Sequence, residues 1–295
     1  CPMSPFSMLR AGVKTSLSLA FFAASSASVA WADTAGRIVS IGGSVTEVVY
    51  ALKQEARLVA RDTTSTFPHE ANALPNVGYA RALSPEGVLS VDPDLILATQ
   101  GSGPPETLEV LKQANVTYVE VPEIYTAQGV ISKIATVAAA LGQQQAGEIL
   151  AAQVSAELDA AQALATEVAG DTPKRVLFVL STQGGRITVG GKGTAADGII
   201  QMAGAQNAIS AFSGYKQMTD EAIAAAAPDI ILAMDRGGDH GLTKETLPSL
   251  PALMLTPAAQ NGHLVRMNGL RLLGFGPRTA TAIKELSQAF HEVAK

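Results

Sequence analysis

Short apolar runs alternate with helix-like stretches in the first part of the chain. The runs are rich in Val, Ile and Leu and have the length of buried strands, and they lie at 37–41, 57–60, 94–98 and 117–121. Between them, helices are predicted from Ser44 and over 106–113, and Glu47 three residues after Ser44 predicts a capping box. Strands that alternate with helices are typical of a parallel sheet, so this part predicts an α/β fold.

The pattern becomes almost wholly helical from 127 to 168, with Gly142 as the one obvious break. This stretch is too long for a crossover helix, and it predicts a rigid helical linker over 127–170. After Pro173 the alternation returns, with strands at 175–180, 230–233 and 263–267 and helices near 195–203, 219–227 and 275–292. We therefore predict two Rossmann-like α/β lobes, at 33–126 and 171–295, joined by one long rigid helix, with the ligand cleft between the lobes.

The first 32 residues predict a cleavable signal peptide. Arg10 and Lys14 precede an apolar run rich in Ser and Ala, and Ala-Trp-Ala at 30–32 has the Ala-x-Ala pattern of a cleavage site. The alternative, a membrane anchor, fits less well because the run is short and rich in small residues. We expect cleavage before Asp33 and a periplasmic destination.

Charge and cysteine content restrict the function further. The chain beyond residue 32 carries 19 basic and 26 acidic residues, a net charge of −7, which argues against binding to nucleic-acid phosphates. Cys1 is the one cysteine and lies in the segment that we expect to be removed. The sequence therefore predicts neither a disulfide nor a thiolate metal site.

One segment occurs twice, at 78–98 and 214–233. Each copy opens with Gly-Tyr and ends in Pro-Asp and a short apolar strand, and its tyrosine, Tyr79 or Tyr215, is expected on a connection, where binding residues concentrate. Arg81 follows Tyr79 by two residues, and a cation there favours a phenolate, whereas the second copy has Gln in the comparable place. Tyr79 is the better candidate for a chemical role; the alternative is a tyrosine packed over its lobe.

Each copy also places a glutamate in the first turn of a helix. Ser84 is the predicted N-cap before Glu86, and Thr219 is the predicted N-cap before Glu221. A carboxylate in a first turn complements the helix dipole, and this alone would explain either glutamate. Because first-turn side chains face solvent, a second role in binding stays open.

Longer stretches of the chain resemble the periplasmic haem-binding proteins of bacterial ABC haem importers. The resemblance covers nearly all of the chain beyond the signal peptide, and it is most specific in "GYARALSPEGVLS" and "LLGFGPR". The other matching stretches, which siderophore and cobalamin binders share, include "RIVSIGGSVTEVVYAL", "GGKGTAADGIIQMAGAQNA" and "PDIILAMDRGG". The resemblance implies the class III periplasmic binding protein fold and haem b, in its ferric form, as the transported ligand.

The same resemblance implies roles for single residues. Tyr79 corresponds to the axial ligand of the haem iron, and Arg236, from the other lobe, to an arginine near the bound ligand. Arg236 or Arg81 would bond the tyrosinate or a propionate, and Tyr215 would pack against the porphyrin. Glu86 and Glu221 correspond to the acids, one on each lobe, that dock onto an ABC permease dimer, which carries ATPase subunits. The protein is then expected to be a monomer without catalysis of its own.

Other functions remain as alternatives. The same scaffold could carry a ferric siderophore or a cobalamin, although no Trp remains after residue 32 to line a siderophore cleft. An exported α/β hydrolase is disfavoured because the chain has no Gly-x-Ser-x-Gly motif. A zinc carrier is disfavoured because the four histidines are scattered. His240, in the loop after Arg236, is the histidine placed best to approach the cleft.

Overall fold

In the computed structural model, which describes residues 36–235 and 241–293, the four strands predicted in the first part form one parallel sheet. The elements of this N-terminal lobe are β1 (Ile38–Ile41), α1 (Gly43–Ala51), β2 (Leu58–Arg61), α2 (Pro85–Leu89), β3 (Leu95–Thr99), α3 (Pro105–Gln113) and β4 (Thr117–Val121). The strand order is β2-β1-β3-β4, with every neighbouring pair parallel.

Both faces of the two central strands are buried. Ile38 and Leu97 belong to the core on one face, and Val39 and Ile96 belong to the core on the other. All four side chains are fully buried. A sheet covered on both faces needs continuous apolar strands rather than alternating ones, which is why the sequence pattern located them well.

The predicted capping box at the start of α1 is wrong. The N-cap is Gly42, with φ 108°, which has no side chain to cap the helix, and Thr64 Oγ1 accepts from Gly43 N (3.0 Å). Ser44 and Glu47 are instead buried in the helix and contact groups that are distant in sequence. Both side chains therefore bond to residues that are distant in sequence instead of capping the start of α1.

Two helices occupy the predicted linker. They are α4 (Ala127–Leu141) and α5 (Gln144–Ala169), and Gly142 separates them in the left-handed conformation, with φ 70°. At 26 residues, α5 is about 39 Å long, and it packs against α4 and the C-terminal helix. Among the residues that the structure describes, no helix is long and apolar enough to cross a membrane.

The C-terminal lobe is built on a mixed sheet. Its elements are β5 (Arg175–Ser181), β6 (Ile187–Gly190), α6 (Ala195–Met202), β7 (Gln206–Asn207), β8 (Tyr215–Met218), α7 (Asp220–Ala226), β9 (Ile230–Asp235), α8 (Pro251–Met254), α9 (Pro257–Gln260), β10 (Leu264–Asn268), α10 (Gly269–Leu273) and α11 (Thr279–Val293). The order is β10-β9-β5-β6-β8, and β7 pairs with β5. The strands β10, β9 and β5 are parallel, whereas β6 and β8 are antiparallel to their neighbours.

The position of Tyr215 differs from the one expected from the sequence. This residue does not lie on a connection but begins β8, where it pairs with Gly190 of β6. The sequence of β8, Tyr-Lys-Gln-Met, lacks an apolar run because this edge strand is largely exposed. Its backbone pairing, rather than side-chain burial, makes it a strand.

Candidate binding cleft

The carboxyl ends of the N-terminal strands face the C-terminal lobe. Tyr125, which follows β4, lies edge-on to Phe275 of the other lobe, with ring centroids 5.2 Å apart. At the end of β1 the lobes approach so closely that a Cβ at Gly43 would lie 2.4 Å from Leu270 Cδ1. In open α/β sheets, ligands bind beyond the carboxyl ends of the strands. The region between the lobes is therefore the candidate binding cleft.

Tyr79 projects from a loop whose backbone is fixed at this edge of the sheet. The loop is held on one side by a hydrogen bond from Thr63 N to Gly78 O (2.8 Å) and on the other by one from Gly103 N to Ala80 O (3.0 Å). Gly78 has φ 109°, a conformation that favours glycine. The Tyr79 side chain is 48% exposed, and its phenol oxygen bonds to no residue that the structure describes. The loop thus presents an exposed phenol oxygen from a backbone that hydrogen bonds hold in place.

Arg81 points from the same loop towards the floor of the cleft. Its Nη1 lies 3.5 Å from Gly101 O, and its charge opposes the rise in the pKa of the Tyr125 phenol. Its charge also opposes the rise in the pKa of the Tyr215 phenol. The positive charge of Arg81 therefore acts on a tyrosine of each lobe.

Tyr215 forms part of the C-terminal wall. Its ring packs edge-on against Phe178, with centroids 6.3 Å apart. Burial raises the pKa of the Tyr215 phenol. The Ala196 backbone and the Thr194 side chain, at the start of α6, oppose that rise in the pKa. The side chain is 39% exposed, so Tyr215 offers the cleft part of its ring.

Sequence reasoning missed Tyr125, which lies in no recognisable motif. Its one sequence signal was its place just after a strand at the carboxyl edge of the sheet. Burial, followed by the charge of Glu123, raises the pKa of the Tyr125 phenol, and Arg81 opposes that rise.

Polar contacts also join the two lobes beside the cleft. Arg278 donates two hydrogen bonds to Glu47, from Nε to Oε2 (2.9 Å) and from Nη2 to Oε1 (2.6 Å). The guanidinium carbon lies 3.5 Å from the centre of the Phe67 ring. Burial raises the pKa of the Glu47 carboxyl, and Arg278 opposes that rise. We call Glu47, Arg278 and Phe67 the interlobe ion-pair cluster.

A buried lysine makes a second polar connection. Lys133 of α4 is fully buried, and its Nζ donates to Ser44 Oγ (2.7 Å), to Gly274 O (2.9 Å) and to the Glu123 carboxylate. Burial lowers the pKa of Lys133, and Glu123 opposes that fall. All three N–H groups of the ammonium thus have acceptors, one of them in the C-terminal lobe.

A cavity of about 370 Å³ opens at the carboxyl ends of β5 and β9. Its lining includes Ser181, Thr182, Gln183 and Met234. Two residues predicted near this edge, Arg236 and His240, lie outside the described residues. No group of three His, Cys, Asp or Glu side chains suited to a metal ion occurs in the part of the chain that the structure describes.

The two glutamates occupy matching places outside the cleft. Glu86 lies in the first turn of α2, where Ser84 Oγ accepts a hydrogen bond from Gly87 N (3.0 Å). Glu221 lies in the first turn of α7, where Thr219 Oγ1 accepts from Ala222 N (3.3 Å). Both side chains are exposed. Hydrogen bonds from its own backbone N–H and from Thr219 lower the pKa of Glu221. The predicted N-caps are therefore confirmed, one glutamate to each lobe.

The cleft and its two lobes have counterparts among known proteins. The chain is similar to the periplasmic haem-binding protein BhuT in complex with two haems, with 40% identity, a TM-score of 0.83 and coverage of 88% of this chain and 99% of that chain. It is similar to the periplasmic haem-binding protein RhuT from Roseiflexus sp. RS-1 in apo form, with 37% identity, a TM-score of 0.84 and coverage of 88% and 100%.

A more distant similarity connects the chain to a carrier of another ligand. The vitamin B12-binding protein of Vibrio parahaemolyticus is 26% identical over 265 residues, which cover 88% of this chain and 90% of that protein. A sequence model described as periplasmic binding protein matches residues 38–269, most of the two lobes. The chain therefore belongs to the periplasmic binding protein family.

Proposed function

We propose that this protein captures ferric haem in the cleft between its lobes and delivers it to the permease of an ABC importer. The observation that carries the proposal is the exposed phenol of Tyr79, whose oxygen bonds to none of the described residues, on a fixed loop at the cleft edge. A phenolate is a hard, anionic donor that suits ferric iron, and Tyr is one of the known protein ligands of haem. The similarity to BhuT and RhuT, at 40% and 37% identity, supports haem as the ligand.

The rest of the cleft suits a flat, anionic, largely apolar ligand. The rings of Tyr125 and Tyr215 supply apolar surface, and Arg81 supplies positive charge. An arginine binds carboxylates well because its planar N–H groups match their geometry. In this proposal Arg236 adds a second arginine from the C-terminal lobe. The protein acts as a carrier, is exported by its signal peptide to the periplasm and works as a monomer.

A titration with competing ligands tests the proposal. The chain from Asp33 onward is expected to bind ferric haem with a saturable change in absorption and to bind cobalamin at least about 100-fold more weakly, a difference of about 2.7 kcal/mol. Cobalamin is the second candidate because of the vitamin B12-binding relative. Tighter binding of cobalamin than of haem would contradict the proposal and indicate that the protein carries cobalamin.

The two glutamates are proposed as the contacts with the permease. Replacing Glu86 or Glu221 with Ala should weaken binding of the haem-loaded protein to its permease and ATPase complex by about threefold, and the double variant by about tenfold. This corresponds to about 0.7 kcal/mol for each exposed charge pair. The measurement is binding to the complex reconstituted in nanodiscs.

Glu106 provides a matched control for this measurement. It also lies exposed in the first turn of a helix, α3, but outside the duplicated segment. Its replacement by Ala is expected to leave permease binding unchanged, and none of the three variants should alter haem affinity. If Glu106→Ala and Glu86→Ala weakened permease binding equally, the loss would reflect the overall charge of the protein, and Glu86 would not be a docking residue.

A further inference from the structure

The bend that turns Tyr79 out of its lobe is formed at Gly78. Val77 and Ala80, on either side of this pair, are buried in the core of the N-terminal lobe, with exposed fractions of 7% and 5%. Between them Gly78 has φ 109°, and the Tyr79 side chain is exposed. The direction of the Tyr79 phenol therefore depends on how the two peptide groups that flank Gly78 are held.

Two hydrogen bonds hold those peptide groups. Gly78 N donates to Asn76 Oδ1 (2.9 Å), and Gly78 O accepts from Thr63 N (2.8 Å). Thr63 Oγ1 also lies 3.5 Å from Asn76 Oδ1, so both residues meet at the same bend. An Asn side chain that bonds to the backbone two residues ahead forms an Asx turn, which replaces a backbone hydrogen bond. One of the two bonds at Gly78 thus depends on a side chain.

The other bond comes from a segment that is held from inside the lobe. Asp62, the residue before Thr63, is fully buried, and its carboxylate accepts from Gly42 N (3.0 Å) and Ser65 Oγ (2.7 Å). Hydrogen bonds to a carboxylate are stronger than bonds between neutral groups, so they fix the segment after β2 firmly. Asn76, by contrast, is exposed, and its bond is the part of the bend that a surface substitution can remove.

Backbone groups hold the corresponding bend in the second copy of the duplicated segment. Gly214 N donates to Lys192 O (3.0 Å), and Gly214 O accepts from Gly191 N (2.9 Å). Both partners directly follow β6, and the chain then continues from Gly214 into β8. In the first copy the Asn76 side chain takes the place of one backbone partner, and Tyr79 lies outside the strands.

We propose that Asn76 is a positioning residue for haem binding, whose side chain sets the direction in which the Tyr79 phenol enters the cleft. The amide oxygen fixes the peptide group before Gly78, and the direction of the exposed Tyr79 ring follows from that bend. Replacing a residue that orients a metal ligand typically lowers metal affinity by about 10–100-fold. This inference rests on the proposed function, because the direction of the phenol matters here only if its oxygen binds the iron.

A titration of ferric haem into Asn76→Ala tests the inference. We expect the affinity to fall about tenfold and the ferric tyrosinate band to weaken. Asn76→Asp keeps an acceptor oxygen at the same place and should restore the wild-type affinity and band. Asn72→Ala is the matched control, because Asn72 is also exposed and donates from Nδ2 to His69 O (3.1 Å). It should bind haem as the wild type does, and urea denaturation of the two free Ala variants should give similar midpoints.

A double-mutant cycle with Tyr79→Phe distinguishes positioning from a structural role. If Asn76 acts through the phenol, Asn76→Ala should cause no further loss of haem affinity once Tyr79→Phe has removed the phenol oxygen. If Asn76→Ala lowered the affinity by the same factor in both backgrounds, Asn76 would support the cleft independently of the phenol, and the inference would be wrong.

The remaining outcomes separate this inference from the proposed function. If the wild type shows the tyrosinate band and Asn76→Ala keeps both the band and the affinity, the inference is wrong and the function stands. Equal losses in Asn76→Ala and Asn76→Asp would also overturn the inference, since the acceptor oxygen would not be the cause. If the wild type binds no haem, the proposed function fails and this inference fails with it.

Discussion

Replacing Tyr79 with Phe is expected to remove the ferric tyrosinate absorption band and to lower haem affinity by about 100-fold, or about 2.7 kcal/mol. The substitution deletes the one oxygen that the proposal assigns to the iron and keeps the exposed ring. Because the loop is held by backbone hydrogen bonds on either side of Tyr79, the variant should fold normally. Absorption spectra of the haem complexes, with circular dichroism of both proteins, provide the measurement.

Tyr215→Phe is the matched control, since the duplicated segment places Tyr215 at the corresponding position. Because the proposal assigns the iron to Tyr79, removal of the Tyr215 hydroxyl should leave the tyrosinate band intact. If Tyr79→Phe kept the band and Tyr215→Phe lost it, the ligand assignment would move to the C-terminal lobe.

Replacing Arg278 with Met is expected to lower the free energy of unfolding by about 3–5 kcal/mol, the usual cost of leaving one partner of a buried ion pair alone. The Glu47 side chain is 4% exposed and would keep a charge without its bidentate partner. Urea denaturation at pH 7 measures the loss. A second substitution, Glu47→Leu, should recover much of the lost stability, because it removes the stranded charge.

An exposed ion pair of the same kind provides the comparison. Arg266 Nη2 lies 3.1 Å from Asp235 Oδ1, and these side chains are 32% and 49% exposed. Arg266→Met should cost less than about 1 kcal/mol, since solvent screens exposed pairs. A similar loss for both variants would contradict the role given to the interlobe ion-pair cluster.

The loss in Arg278→Met should also depend on pH. Burial already raises the pKa of Glu47, and removal of Arg278 takes away the main opposing influence. A carboxyl whose pKa is raised in the folded state stabilises that state most when it is protonated. Stability is therefore greatest below the unfolded-state pKa and falls as the pH rises through the folded-state pKa. The variant should thus be least stable, relative to the wild type, at neutral pH.

The parts of the fold that depend on local pattern could be predicted from the sequence. The central strands are apolar on both faces, and Ser84 and Thr219 cap their helices through side chains only three residues from their partners. The strand β8 could not be predicted in this way, because its polar, exposed residues carry no strand pattern. The strand β6 does carry one, in the buried Ile187 and Val189 that flank Thr188, but it is only four residues long. Their pairing is set by the tertiary fold.

The residues of the site show the same difference between local sequence pattern and tertiary contact. Tyr79 was recognisable because it belongs to a repeated motif, whereas Tyr125 and Arg278 act through contacts between distant segments. Arg278 and Glu47 are 231 residues apart in sequence, and Lys133 and Ser44 are 89 apart. The sequence pattern predicted that Glu47 completes a capping box at the start of α1. Its partner in the structure is Arg278, which lies in the other lobe and far away in sequence. Such pairs become visible only when the chain is folded.

The most direct test of haem capture by Tyr79 is a crystal structure of the haem complex, with the iron located by its anomalous scattering. We expect the iron between the lobes, bonded to the Tyr79 phenol oxygen, with a haem carboxylate against Arg81. Iron bound outside the cleft, or in the cleft on a ligand other than Tyr79, would contradict the account.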